Sequence, residues 1–288
     1  MPEQHHYNSI HTELLKFGAS IAYPPFTPHR LHTHETCELY YLVRGSGHYI
    51  TEGSRYELKP GRIILMRPGE MHKAELTDEK AYENTVFHFS PSILDSFDPE
   101  HRLLAPFFDR PLGLNNVYDR SALAGTDIYS LLQKCRTKRP NDYDNRVHMT
   151  GILISILEQL KTLFDEKQYT VSSKSEDTIH SVITYVNQNL THHLNPDRIC
   201  QEFNISRAQL DRNFKNATGS TVWAYITAKR LLLAKSSKQE GMRATDVSSA
   251  CGFQDYSTFY RAYAKHFGLT PSGSPATQVQ GVIALNRE

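Results

Sequence analysis

Three imidazoles and a carboxylate stand where they could hold a metal ion or a polar ligand: His32, His34 and Glu38 close together, and His72 further along. Side chains alternate between the two faces of an extended strand, so the even parity of His32, His34 and Glu38 sends all three to one side. Such a set suits a first-row divalent ion such as iron, manganese, nickel or zinc. The same groups, joined by Tyr23, Arg30, Tyr40, Tyr49 and His88, also suit a pocket for a small molecule. There the imidazoles serve as hydrogen-bond donors, and aromatic faces beside polar groups fit a sugar or a related hydroxylated molecule. Both occupants remain open from the residues alone.

A second chemistry lies in the last third of the chain, where one pattern occurs twice. Ile199-Cys200, Asn204-Ile205, Leu210, Arg212 and Phe214 return as Val247-Ser248, Gly252-Phe253, Phe259, Arg261 and Tyr263. The offset is 48 residues before the turn and 49 after it, so the second turn is one residue longer. Two copies are too few for a solenoid and fit two helix-turn-helix units, each with a second helix able to enter a DNA major groove. The small Cys200 and Ser248 let paired helices approach, while Phe203, Leu210, Phe214, Phe253, Phe259 and Tyr263 fill the space between them.

The outward positions of the second helices are then Arg207, Ala208, Gln209, Asp211 and Arg212 in one copy, and Gln254, Tyr256, Ser257, Thr258, Tyr260 and Arg261 in the other. Arginine matches the paired acceptors of guanine, glutamine matches adenine, and threonine can touch a thymine methyl. Arg212 and Arg261 suit a phosphate contact or a structural ion pair as well as they suit base readout. Lys215 and Lys265, with Lys229 and Arg230, read as phosphate contacts that set register.

These residues need elements to position them. Over residues 19–90 short alternating runs are broken by turn signals such as Arg44-Gly45-Ser46-Gly47 and Arg67-Pro68-Gly69, which predicts a meander of strands closing as a sandwich or barrel. Helical spacing follows over 121–135 and 148–164, with Pro140-Asn141-Asp142 as a break, and a polar linker over 168–177. A helix over 178–190 precedes the repeats. Asn195-Pro196 starts the first unit, Ser206 with Gln209 forms a capping box, and Gly219 marks an exit. A long helix from Thr221 ends before Gly241; Thr245 opens the second unit, Gly252 makes its turn, and Gly268 with Pro271 ends its last helix.

Composition narrows the class. With 39% hydrophobic and 22% charged residues the chain reads as a soluble globular protein, and the longest apolar run is far too short for a membrane span. The N-terminus has no secretory pattern, which predicts a cytoplasmic protein, and Cys37, Cys135, Cys200 and Cys251 read as free thiols. Net charge is +1 overall, but residues 1–110 hold 11 Lys and Arg against 15 Asp and Glu, whereas 191–288 hold 12 against 7. The basic end is the candidate for phosphate contact.

The second unit, Ala250-Cys251-Gly252-Phe253-Gln254-Asp255-Tyr256-Ser257-Thr258-Phe259-Tyr260-Arg261 followed by Phe267-Gly268-Leu269-Thr270-Pro271, resembles the signature of the AraC/XylS family of transcription regulators. The first unit matches it through Ser206, Leu210, Arg212, Phe214 and Lys215, and the connecting helix through Arg230-Leu231 and Ala234. His32, His34 and Glu38, with Pro68-Gly69-Glu70-Met71-His72, are similar to the two metal-ligand motifs of the cupin barrel. The resemblance implies an α+β chain: a cupin-like effector barrel (1–115), a helical dimerisation segment (116–167), a linker (168–177), a double helix-turn-helix domain (178–272) and a tail. It implies an operator DNA, a small-molecule effector, a second copy of the chain and RNA polymerase as partners. No cofactor is required, with a divalent metal on His32, His34, Glu38 and His72 as the other occupant of the pocket. The rival reading is a metal-dependent cupin enzyme, an oxygenase or isomerase, with the helical units as an adaptor. Within one chain the two reading helices should reach major-groove segments about 34 Å apart.

Overall fold

Strands fill the first ninety residues: β1 Gln4–His11, β2 Leu15–Ala22, β3 Cys37–Arg44, β4 Gly47–Thr51, β5 Ser54–Leu58, β6 Ile63–Met66, β7 His72–Leu76 and β8 Tyr82–Phe89, with the short β9 Val117–Tyr118 later. One sheet runs β1-β2-β8-β3-β6-β9, antiparallel throughout, and the other runs β5-β4-β7. The computed structural model describes residues 4–26, 31–77, 81–167, 169, 178–239 and 242–273. Residues 1–29, 34–50 and 55–173 form one compact unit; residues 30–33, 51–54 and 174–288 form another.

Parity divides the first unit into two cores. In β3, Cys37, Leu39 and Tyr41 join a large cluster with Phe17, Phe87 and Phe89, whereas Tyr40 and Leu42 join Tyr49, Tyr56, Ile64, Met66 and Tyr82 in the other. A central strand buried on both faces shows no polar alternation, which is why β3 reads as a nearly continuous apolar run. The first cluster is completed by the turns Pro91–Leu94 and Arg102–Leu104 and by helices α1 Ala105–Phe108, α2 Ile128–Lys134 and α3 Asp142–Asp165.

Several boundaries differ from the sequence expectation. β1 lies wholly before residue 19, and periodicity misses it because its inward positions include Asn8, a buried amide bonded to Cys135 O and to Asn145. Pro140-Asn141-Asp142 does not merely break a helix. Asn141 caps α3, accepting from the Asp144 N–H, and so starts it six residues before 148. Residues 121–127 are turns, with Gly125 at φ 86°. The apolar stripe of α3, from Met149 to Leu163, is buried in the first cluster, so it covers the sheet.

One buried ion pair ties this unit together. The Glu70 carboxylate accepts from both terminal nitrogens of Arg110 (2.9 and 2.7 Å) and from the backbone N–H groups of Arg67 and Gly113. Arg110 also donates to Leu65 O and Pro106 O, and neither side chain is exposed. The β6–β7 loop is thereby fastened to the chain after α1.

The second unit holds α4 Thr178–Gln188, α5 Pro196–Phe203, α6 Arg207–Thr218, α7 Val222–Gln239, α8 Ala244–Ala250 and α9 Tyr256–Phe267. Helix α4 packs on α5, α6 and α7, while α7 also packs on α8 and α9 through Leu231, Ala234, Val247, Phe259 and Tyr263. The expected linker, apart from Tyr169, and the tail beyond Gly273 lie outside the described residues, as do Arg30 and Gly241. No helix among the described residues is long and apolar enough to cross a membrane.

Burial pushes the Glu70 carboxyl up, but Arg110 and the two N–H groups outweigh it and hold the group at about 2. A folded pKa below the unfolded value of 4.5 adds stability that is complete above pH 4.5 and is lost as pH falls toward 2. We expect Glu70→Ala, which leaves Arg110 buried without its partner, to cost about 3–5 kcal/mol at pH 7 in urea denaturation. The gap between wild type and Glu70→Gln should narrow below pH 4.5.

Candidate nucleic-acid interface and ligand pocket

β3 and β8 pair so that Glu38 lies opposite His88 and Leu42 opposite Asn84. That register points Glu38 and Tyr40 of β3, with Tyr82, Asn84 and His88 of β8, to one side, where Tyr49 of β4 and His72 of β7 meet them. Around the buried carboxylate, His34 Nε2 lies 2.8 Å and His72 Nε2 3.2 Å from Glu38 Oε2, with His88 Nδ1 at 3.6 Å. Tyr49 donates to Glu38 Oε1 at 3.0 Å. Beyond it runs a polar chain: Tyr40 and Tyr82 hydroxyls 2.7 Å apart, Asn84 Nδ2 donating to Tyr82, and Ser20 donating to Asn84.

Burial raises the Glu38 carboxyl, yet the imidazoles of His72, His34 and His88 together keep it well below the usual carboxylate range. His72 is pushed down by burial and up, on balance, by Glu38. For His88 burial prevails, leaving it at about 4. Burial also lifts the hydroxyls of Tyr40 and Tyr49, which remain donors.

Six of the nine expected pocket residues therefore converge: His34, Glu38, Tyr40, Tyr49, His72 and His88. Tyr23 does not, being 48% exposed beyond the end of β2. His32 precedes the regular strand, which begins only at Cys37, so strand parity does not place it, and by its contacts it is grouped with the second unit. The ligand atoms of His34, Glu38 and His88 lie within 4.8 Å of one another, a grouping that takes in His88 where the expected metal set had none from β8. Tyr82, Asn84 and Ser20 were missed. The shared parity of Tyr82, Asn84 and His88 was the available signal, but only strand pairing shows which face of β8 it marks.

The reading helices start at well-formed caps. Ser206 and Gln209 make the expected capping box, and Asn204 takes the left-handed conformation (φ 49°) that turns α5 into α6. In the second copy Gly252 (φ 83°) takes that role and Asp255 caps α9, accepting from Thr258 N–H. From left-handed residue to cap is two residues in one copy and three in the other, the extra residue inferred from the repeat. Helix α8 begins after Arg243, not at Thr245, and has no side-chain cap.

Arg207, Ala208, Gln209, Asp211, Arg212 and Lys215 are exposed on α6, and Gln254, Tyr256, Ser257, Thr258, Tyr260, Arg261 and Lys265 are exposed on or just before α9. Their electrostatic states differ. Arg207 is paired with Asp211 (2.9 Å) and Asp197 (3.4 Å), whereas Arg212, Lys215, Arg261 and Lys265 form no salt bridge among the described residues. Gln209 Oε1 accepts from Ser206 N–H, so the two-point match to adenine is unavailable while the box is closed. Tyr256 and Tyr260, each 40% exposed, lie with ring centroids 6.3 Å apart, and Tyr256 also packs near the buried Phe259.

Two expected phosphate contacts are used elsewhere. Lys229 is 8% exposed and pairs with Glu52 at 2.8 Å, and Tyr225 donates to the same carboxylate. Arg230, 3% exposed, donates to Leu190 O and His192 O. It closes the end of α4 onto α7, a helix-packing role that residue type alone does not reveal.

Paired reading helices and a polar pocket define a protein that binds DNA and a small ligand. Two family models agree with that division: an AraC-like ligand binding domain over residues 21–125 and a helix-turn-helix domain over residues 199–273. The chain belongs to the AraC family of transcriptional regulators, and it is a regulator rather than the metal-dependent enzyme that the histidine motif left open. It is 22% identical over 246 residues to the HTH-type transcriptional activator RhaR of Escherichia coli K12, covering 84% of this chain and 85% of that one. ToxT from Vibrio cholerae aligns over 90% of this chain and 97% of its own at 14% identity, with a TM-score of 0.39. The DNA-binding domain of AdpA, solved with a target DNA, aligns over 34% of this chain and 88% of its own at 20% identity and a TM-score of 0.33.

The Gly252 turn is the sharpest local constraint on the second copy. A Cβ there would lie 2.7 Å from Leu190 O and 3.0 Å from Arg230 Nη2, in a left-handed backbone that already costs an alanine about 1–2 kcal/mol. Gly252→Ala should therefore lower stability by more than that in urea denaturation, while Asn204→Gly changes it by a few tenths.

Proposed function

We propose that this regulator's DNA binding is controlled by a hydroxylated small molecule of the sugar class, held in the pocket around Glu38, Tyr40, Tyr49, Tyr82 and Asn84. The observation that carries the reading is the run of alternating donors and acceptors from Ser20 through Asn84, Tyr82 and Tyr40, set beside the Glu38–Tyr49 pair. A polyol presents hydroxyls that both donate and accept, and the tyrosine rings cover its apolar faces. The protein works in the cytoplasm as a homodimer, with RNA polymerase as its partner at the promoter. An effector that binds one arrangement of the protein better than another shifts the population competent for adjacent DNA sites.

On the DNA side, Arg212, Lys215, Arg261 and Lys265 supply the charge. Ser257, Thr258, Tyr256 and Tyr260 offer hydroxyls and apolar edges to bases, with Ala208 and Gln254 beside them. Arg207, held by two carboxylates, is a weaker reader than its position suggests.

A thermal-shift screen of monosaccharides and sugar alcohols tests the pocket. A binder at a hundred times its dissociation constant adds about 2.7 kcal/mol, and Asn84→Leu or Tyr82→Phe should remove most of that gain. Stabilisation by apolar acids alone, or sugar binding indifferent to both substitutions, would overturn the effector class. For DNA, Arg212→Ala should weaken operator binding by about 1–3 kcal/mol if the contact is bidentate to a base. Lys215→Ala should lower affinity evenly across sequences and reduce the salt slope by about 1. Unchanged affinity in both variants would sink this assignment of the reading face.

A further inference from the structure

We propose that the two reading helices select different bases: a guanine under α6, and thymines, recognised by their 5-methyl groups, under α9. The proposal rests on the reading of these outer faces as the DNA surface and adds the base class that each one takes. The caps Ser206 and Asp255 are 49 residues apart, so Arg207 corresponds to Tyr256, Gln209 to Thr258, Asp211 to Tyr260 and Arg212 to Arg261. Equivalent positions on equivalent helices therefore carry different chemistry. The early turns of such a helix are the part that meets base edges in the major groove.

On α6 most polar groups of those turns are already engaged. Asp211 holds Arg207 in an ion pair at 2.9 Å, and Gln209 is closed onto Ser206. Arg212 makes one long contact, 3.5 Å from Nε to the Asn213 side chain, which leaves its two terminal nitrogens as a fork. Two parallel N–H donors fit the O6 and N7 acceptors of guanine and not the mixed donor and acceptor edge of adenine. On α9 the positions of the Arg207–Asp211 pair hold phenol rings instead, 6.3 Å apart and each 40% exposed. Tyr256 is steadied by Phe259, with ring centroids 5.9 Å apart. A phenol offers one hydroxyl and a broad apolar edge, not a pair of parallel donors. The Thr258 N–H and hydroxyl are both taken by the Asp255 cap, so a methyl group is what that side chain has left for a base. Arg261 is drawn by the charge of Asp255, an attraction from the cap that Arg212 lacks because its own cap is the neutral Ser206. Ring edges and a methyl group match the thymine methyl, the apolar feature of the major groove, and Gln254, exposed just before the cap, matches the adenine of the same base pairs. Each methyl taken out of water favours binding about fourfold.

The test starts from operators selected by the full-length protein out of random duplex DNA. A guanine should be fixed in one half-site and thymines in the other, about 34 Å along the duplex. Replacing those thymines by deoxyuridine removes only the methyl groups and should weaken binding about fourfold per contacted methyl. In Tyr256→Ala and Tyr260→Ala that sensitivity should fall, while the guanine preference persists and shows that the domain still docks. Replacing the guanine by 7-deazaguanine should weaken wild-type binding about tenfold and leave Arg212→Ala indifferent. Uracil that substitutes freely for thymine, or tyrosine variants with an unchanged response to it, would overturn the assignment to α9. A guanine whose importance survives Arg212→Ala would overturn the assignment to α6. Those outcomes leave the DNA face itself standing, whereas failure to select any sequence would overturn that reading together with the base assignment.

Discussion

The pocket depends on one constraint, the antiparallel register of β3 against β8. With Glu38 opposite His88, every second residue of both strands turns inward, and carboxylate, imidazole, phenol and amide groups meet in one place. A slip of one residue would exchange the faces. Leu39 and Tyr41 would then enter the polar interior, and Glu38 would be pushed among Phe17, Phe87 and Phe89. Burying an ionised carboxylate without partners is costly enough to reject that alternative. The charge that makes the site chemically useful therefore also helps to specify the fold that contains it.

The second unit uses the same local device twice with different residues. Each copy needs a left-handed residue between its helices and a polar cap at the start of the reading helix. Asn204 and Ser206 meet this need in one, Gly252 and Asp255 in the other. Gly252 is the more demanding of the two left-handed positions, because Leu190 O and Arg230 crowd the space that a side chain would occupy. The outer faces diverge further: α6 carries charge, while α9 adds an exposed pair of tyrosines. Two equivalent scaffolds thus carry unlike outer faces, although each exposes two cations without a salt bridge among the described residues, Arg212 and Lys215 on α6 and Arg261 and Lys265 on α9.

Burial, not residue type, decides which positive residues are used within the fold and which stay exposed. Arg110, Lys229 and Arg230 are buried and spend their donors on Glu70, Glu52 and backbone carbonyls. Arg212, Lys215, Arg261 and Lys265 stay in water with no acidic partner among the described residues. A net basic balance in the last hundred residues thus overstates the charge available to phosphate. Arg110 and Lys229 are strong constraints because each would be left uncompensated if its carboxylate were removed.

Much of this was legible from residue order. Helix caps and turns depend on interactions spanning three or four residues, so Asn195, Ser206 with Gln209, Gly219 and Gly268 could be read directly, and the repeat offset located the longer second turn. The strand-then-helix order and the parity of Glu38 and Tyr40 were equally local. What the chain order left open was everything that depends on distant partners. β1 was invisible because its buried amide is satisfied by Cys135 and Asn145, far along the chain. Lys229 and Arg230 looked like phosphate contacts until packing enclosed them, and which surface the stripe of α3 covers was decided only by the packed sheet. Local spacing determines which side chains share a face of a strand, whereas the pairing of distant strands decides which faces meet, and a binding site is made where faces meet.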